Sequence, residues 1–164
     1  MSAKDAFLKK MQENKHSQTA SIEQAKVDIQ RFRMGMDDLS NQVETWLKDS
    51  GVDVSVRENE YHDKSINILL GSQSTLLERY QVVSVALSNK DKTGTIVPIG
   101  VYGYSAAGRA SLTLENRPQR AVNYLLVLNS DGKWLIREEH PSGQPCQAIT
   151  LNEEIFFKAI ECLA

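Results

Sequence analysis

Apolar side chains recur at helical spacing in the N-terminal part of the chain. From Ile22 to Trp46 the steps between them are 3, 4, 3, 4, 3, 4 and 3 residues. This seven-residue repeat is typical of a helix that buries one face. The residues that form this apolar stripe are Ile22, Ala25, Ile29, Phe32, Met36, Leu39, Val43 and Trp46.

Polar residues interrupt the apolar stripe towards the N-terminus, where its frame falls on Lys15 and Gln18. The pattern therefore predicts a short helix near residues 3–15, a break or soft spot at 16–20 and a long helix near 21–49. Helix is favoured on both sides of the predicted break because this part of the chain contains no proline and only one glycine.

The hydrophobic period shortens to two between residues 52 and 140, which predicts β-strands. Residues 124–128 are apolar at every position, as is typical of a central strand. Turn residues at 90–94 and 129–132 predict hairpins, and Pro98 indicates an edge strand or a bulge. We expect six or seven mostly sequential strands, which should be antiparallel because no helix-length segment separates them.

A final helix is predicted at the C-terminus, with one apolar face that packs on the sheet. That face consists of Phe156, Ala159, Ile160 and Leu163. The fold class is therefore α+β, and the 164 residues fit a single domain. The predicted parts of this domain are an N-terminal helical arm with one long helix at 2–50, an antiparallel sheet at 52–140, and a closing helix at 150–164.

Composition is that of an ordinary soluble protein, with 41% hydrophobic and 24% charged residues. Nineteen basic against 21 acidic residues give a net charge of −2, which argues against a nucleic-acid partner. No run approaches the roughly 18 apolar residues of a membrane helix. The first residues show no secretory signal, and two cysteines do not make a disulfide framework. We therefore expect a cytoplasmic protein without membrane contact.

Two loops carry the residue types that catalysis or ligand binding would use. Glu138, His140 and Cys146 lie close in sequence, and a Cys–His pair beside a carboxylate can activate a thiolate. Tyr61 and Asp63 belong to a second polar loop. Neither loop has the ligand spacing of a known metal site, so the sequence indicates no metal and no cofactor.

An aromatic and basic stretch is the main candidate for partner binding, since tyrosine and arginine are enriched at interface hot spots. Its members are Tyr102, Tyr104, Arg109, Arg117 and Arg120. The simpler alternative is a solvated loop. The glycines at 103 and 108 have the spacing of a phosphate-binding loop, but the lysine and the following helix are missing.

The long helix offers a second candidate surface. Met34 and Met36 flank Gly35, and methionines adapt readily to a partner. The apolar stripe either covers the sheet of its own chain or forms a seam with a second chain, and a homodimer through the long helix is one form of that seam. A helix longer than strands of about 20 Å should also overhang the sheet.

Two functions of different class follow from these patterns. The first is a non-enzymatic protein–protein interaction module, such as an inhibitor or immunity-type protein, or an adaptor or chaperone for one protein partner. The alternative is a small enzyme or ligand-binding protein that uses the loops at 61–63 and 138–146. The sequence predicts a regular hydrophobic core but no set of catalytic side chains that would meet in one place, and this favours the interaction module.

Overall fold

The computed structural model describes residues 2–71, 77–103, 106–116, 121–139 and 147–164, and the backbone alone at 18, 68 and 69. The helices are α1 (Ala3–Leu47), α2 (Ser65–Leu70) and α3 (Glu153–Ala159), with a 3-10 turn at Glu161–Leu163. The strands are β1 (Asp53–His62), β2 (Arg79–Asn89), β3 (Lys92–Gly100), β4 (Gly108–Asn116), β5 (Ala121–Leu128), β6 (Trp134–Glu139) and β7 (Ile149–Thr150).

The strands of the described residues form one seven-stranded sheet in which neighbours in sequence are neighbours in space. Every adjacent pair is antiparallel. With a long N-terminal helix and a C-terminal helix, this arrangement confirms the predicted α+β fold. The short helix α2 was not predicted, because a single turn and a half carries too little periodic signal.

The N-terminal helix α1 is continuous over 45 residues, so the predicted break at 16–20 is wrong. These residues include neither glycine nor proline, and the Thr19 hydroxyl donates to the Lys15 carbonyl within the helix at 3.0 Å. Where polar side chains interrupt the stripe, α1 therefore loses its contacts with the core, but the helix does not end. The helix begins at a capping box, in which Ser2 Oγ accepts from Asp5 N at 3.1 Å and Asp5 Oδ2 accepts from Ser2 N at 3.3 Å.

The apolar stripe packs on the sheet of its own chain. Between Ala25 and Val43 each member is at most 7% exposed, and the end members Ile22 and Trp46 are half-buried. Of the two alternatives, helix on sheet is therefore the one observed. The stripe is buried within the chain and does not offer a seam for the homodimer.

Close contact between α1 and the sheet depends on two glycines. A Cβ atom at Gly108 in β4 would overlap the Phe32 ring, and one at Gly35 would lie 2.7 Å from the Leu128 side chain. Beside this contact, Trp134 Nε1 donates to the Gly35 carbonyl at 2.9 Å. The helix is thus seated against β4, β5 and β6 at a fixed depth.

Strands β2 and β3 separate at one end of the sheet. They pair from Asn89 and Lys92 only as far as Val85 and Ile96, whereas each continues on its other side with β1 or β4. Pro98 lies in the part of β3 that pairs with β4 but no longer with β2, and it is next to a register shift. Both features that the sequence indicated meet at Pro98: the strand is irregular there, and although β3 is an interior strand it has no partner on its β2 side at this residue.

The C-terminal helix closes the core. Asn152 Oδ1 accepts from Ile155 N at 2.9 Å and so caps α3. Phe156, Ile160 and Leu163 are at most 4% exposed, and the Phe156 ring lies 5.2 Å from the Trp46 ring at the end of α1. The prediction that this apolar face packs on the sheet is confirmed, although α3 is shorter than expected.

Two phenylalanines of α1 provide a matched test of this packing. Phe32→Ala should lower the free energy of unfolding by about 3–5 kcal/mol, because the ring is fully buried against β4. Phe7→Ala should change it by less than about 0.5 kcal/mol, since that ring is 63% exposed. Urea unfolding followed by circular dichroism measures both, and equal losses would contradict the placement of α1.

Candidate protein-binding surface

Helix α1 extends well beyond the sheet. From residue 3 to residue 21 every described side chain is exposed, and Ile22 is the first half-buried member of the stripe. At 1.5 Å per residue this projecting segment, residues 3–21, is about 28 Å long. The expected overhang was that of the helix predicted at 21–49, whereas the segment that projects is the part predicted as a separate short helix and the residues after it.

Three large apolar side chains are exposed on the projecting segment. Phe7 is 63% exposed, Leu8 52% and Met11 55%. Met11 follows Phe7 by four positions and Leu8 by three, so all three lie on one face of the helix. We call Phe7, Leu8 and Met11 the apolar triad, and no described part of the chain covers it.

A shallow groove lies on the outer side of α1, where the helix meets the turn between β5 and β6. It encloses about 560 Å³ and is lined in part by Val27, Met34 and Leu128. Met34 is 57% exposed there, as a partner-binding residue requires. Met36 is 1% exposed and packs in the core, so its predicted place on a partner surface is corrected. Its position in the apolar stripe explains the burial.

The candidates Tyr102 and Arg109 are engaged inside the molecule. The Tyr102 hydroxyl donates to Asp28 Oδ2 on α1 at 2.8 Å, and Arg109 Nη2 donates to the Tyr102 carbonyl at 2.8 Å. Burial raises the pKa of Tyr102, and the hydrogen bond to Asp28 raises it further. Both side chains therefore tie a loop to the body, and both remain half-exposed, so their role in partner binding stays a prediction. Tyr104, Arg117 and Arg120 lie outside the described residues.

Asp63, from the first candidate loop, is completely buried at the point where β2 and β3 separate. Its Oδ2 atom accepts from the Tyr80 hydroxyl at 2.6 Å and from Val101 N at 2.9 Å. Its Oδ1 atom accepts from Ser65 N at 2.9 Å and from Ser65 Oγ at 2.5 Å. We call these groups the Asp63 clasp, because they join β1, α2 and β2 to the end of β3.

Neighbouring groups complete the clasp and leave little space beside it. The Tyr61 hydroxyl donates to the Ile99 carbonyl at 2.6 Å. A Cβ atom at Gly100 would lie 2.7 Å from Asp63 Oδ1, so only glycine fits there. Burial raises the pKa of Tyr61, the Asp63 carboxylate raises it further, and Arg109 opposes this effect. The loop that the sequence offered as a ligand site is thus bonded to its own strands.

The second candidate loop is described only at its start. Glu138 is exposed on β6 opposite Tyr124 of β5, and both line a cavity of about 310 Å³ between the sheet and α3. Burial raises the pKa of Tyr124, and Glu138 adds to the effect. His140 and Cys146 lie outside the described residues, so their predicted pairing with Glu138 stays a prediction.

Comparison of the chain with protein-family models, curated proteins and solved structures found no match. None of the helices described here has the length and apolarity that crossing a membrane requires. Within the same described ranges, no group of three or more histidine, cysteine, aspartate or glutamate side chains is placed to hold a metal ion.

The clasp predicts how stability depends on alkaline pH. Burial raises the pKa of Tyr80 far above its usual range, and the Asp63 carboxylate raises it further. Above about pH 10 the unfolded chain loses this proton while the folded chain keeps it, so the free energy of unfolding should fall as pH rises.

Tyr80→Phe should make that fall less steep, and it should cost about 1.5–3 kcal/mol at neutral pH because one hydrogen bond to a charged group is lost. Urea unfolding at a series of pH values from about 8 to 11 measures the slope. Tyr124→Phe is the comparison variant: burial and the exposed carboxylate of Glu138 also raise the pKa of Tyr124, but Tyr124 has no part in the clasp, so it should flatten the slope less than Tyr80→Phe does. A slope that Tyr80→Phe leaves unchanged would contradict the assigned role of the clasp.

Proposed function

We propose that this protein is a non-enzymatic protein-binding module whose partner docks on the projecting segment of α1. The observation that carries the proposal is the exposure of the apolar triad. Each of its members is more than half exposed, on the segment of α1 that projects beyond the sheet. Exposed apolar side chains grouped on one face mark interaction sites more often than isolated ones do. An amphipathic helix that lays such a face in a groove is a recurring mode of protein recognition.

The polar clusters support binding over catalysis. Asp63 makes its hydrogen bonds to Tyr80, Ser65 and the backbone, and Tyr102 is bonded to Asp28. Groups that already satisfy one another hold a scaffold together, whereas a catalytic group needs a free side towards its substrate.

Two roles fit a rigid body with a projecting helix. An inhibitor or immunity-type protein would insert the helix into an enzyme or toxin and block it. An adaptor or chaperone would hold its partner by the same helix without blocking it. The activity of the captured partner, measured free and bound, distinguishes these roles. We place the module in the cytoplasm on the features of its sequence.

Substitution of the triad tests the proposed surface. Gentle co-purification from the native source should return a stable partner with the unaltered protein. The triple substitution Phe7→Ala, Leu8→Ala and Met11→Ala should weaken that complex at least about tenfold, because truncated hot-spot side chains typically cost more than 1 kcal/mol each. The fold should persist, since none of these residues contacts the core.

Val27→Ala is the matched control, because Val27 is 55% exposed on the same helix but lies in the outer groove. It should leave the complex intact. Recovery of monomer alone from the native source would count against the proposed function. A complex that survives the triple substitution and is lost on Val27→Ala or Met34→Ala would move the surface to the outer groove.

The cavity beside Glu138 supports a second candidate function, the binding of a small ligand. Its volume of about 310 Å³ lies at the lower end of the range for ligand pockets. Ile136, Ile149 and Ile155 line it together with Glu138 and Lys158.

Alkylation of the two cysteines tests whether the adjoining loop carries an activated thiol. Burial raises the pKa of the Cys162 thiol, so a Cys146→Ser variant should react slowly at neutral pH. A Cys162→Ser variant reports Cys146 alone. A pKa well below about 8.5 for Cys146 would support an activated thiolate, and an ordinary value would remove this candidate.

A further inference from the structure

We infer that the partner of the projecting segment is a different protein, whose apolar groove is bordered by carboxylates at both ends. The inference rests on the proposed function and adds the chemistry of the partner. It follows from the position of the charges around the apolar triad.

Lysines stand at both ends of the triad. Lys4, Leu8, Met11 and Lys15 follow one another at steps of 4, 3 and 4 residues, which places them in one row along the helix. All four side chains are exposed. The lysines are about 16 Å apart along the helix axis, with the apolar side chains between them. Among the described residues neither lysine takes part in an ion pair.

The acidic residues of the projecting segment lie elsewhere. Asp5 is bonded to Ser2 in the capping box. Glu13 follows Met11 by two positions, which turns it about 200° around the helix axis and away from the row. The row is therefore apolar in its centre, at Leu8 and Met11 with Phe7 beside them, and positive at each end.

A second copy of this chain is a poor occupant for such a row. If two projecting segments pair in parallel, each lysine meets the same lysine of the other copy. If they pair antiparallel with Leu8 against Met11, Lys4 meets Lys15. Both arrangements bring like charges together beside the apolar contact, and such contacts are unfavourable. Carboxylates on a different protein would instead pair with both lysines.

An anionic lipid surface would also attract the lysines, but the apolar area favours a protein. Binding of interfacial helices scales with the apolar area that they bury. The triad spans about one helical turn, from Phe7 to Met11, within a segment that is otherwise polar or small. A short cluster of anchors suits a protein pocket, which surrounds each side chain.

Site-specific photocrosslinking in cells of the native source tests the inference with the full chain. Phe7 is replaced by the photoreactive analogue benzoylphenylalanine, which keeps an aromatic ring at this position. Mass spectrometry then identifies the crosslinked molecule and the residues at the junction. The same experiment is repeated in a Lys4→Glu, Lys15→Glu background and in a matched Lys9→Glu, Lys26→Glu background.

The matched background changes the net charge by the same amount but alters residues outside the row, since Lys9 is turned about 200° from Met11 and Lys26 lies on α1 beyond the projecting segment. We expect an adduct with a different protein at a site bordered by aspartate or glutamate. Lys4→Glu with Lys15→Glu should lower its yield at least about tenfold, and the matched pair less than about twofold.

Failure of the inference can be distinguished from failure of the proposed function. An adduct with a second copy or with lipid would overturn the inference, as would a protein adduct whose yield falls equally in both backgrounds. Absence of an adduct from all backgrounds, together with recovery of monomer alone, would overturn the proposed function as well.

Discussion

Phe32 lies where α1 passes over β4, and the depth of this contact determines how the rest of the chain is arranged. Only glycine at position 108 leaves room for the ring, and the nearby Gly35 lets the helix approach Leu128. At this depth the remaining members of the apolar stripe reach the sheet, and Trp46 meets Phe156 of the closing helix. Burial of these apolar side chains is the main force that holds helix and sheet together.

Strand pairing alone does not hold the sheet together. Where β2 and β3 separate, the backbone groups that would have paired need other partners. The Asp63 clasp and the neighbouring Tyr61 supply two such partners, since Asp63 Oδ2 accepts from Val101 N and the Tyr61 hydroxyl donates to the Ile99 carbonyl. A carboxylate is well suited to this place because its two oxygens accept several hydrogen bonds in different directions. Its burial is tolerated because each of these bonds compensates for lost hydration.

Much of the fold was readable from local patterns. The strict spacing of the stripe predicted which helix face is buried, and alternation with short turns predicted a sequential antiparallel sheet. Spacing was also a better guide than residue type for Met36, which belongs to the stripe and is buried with it. The predicted break at 16–20 failed because a loss of apolar periodicity signals loss of packing, and helix can continue without packing once it has been nucleated.

The candidate site was only partly readable from sequence. An overhang was expected of the helix predicted at 21–49, whereas the segment that projects had been predicted as a separate short helix that ends before residue 16. The Asp63 clasp joins residues far apart in the chain, as in the bond between Asp63 and Val101, and no local pattern reports such a contact. The same holds for Tyr102 and Arg109, whose composition resembles a binding surface although their polar groups hold a loop to α1.

Continuity of α1 has a geometric consequence for the projecting segment. Because no hinge separates residues 3–21 from the buried stripe, the rotational phase of the triad is set by the core. One residue inserted before Ile22 would swing the triad about 100° around the axis, whereas seven would shift it outward by about 10 Å and almost restore its phase. The number of residues between the triad and Ile22 therefore determines both how far from the sheet the triad is presented and in which direction. The distance grows with every added residue, whereas the direction repeats with each helical turn.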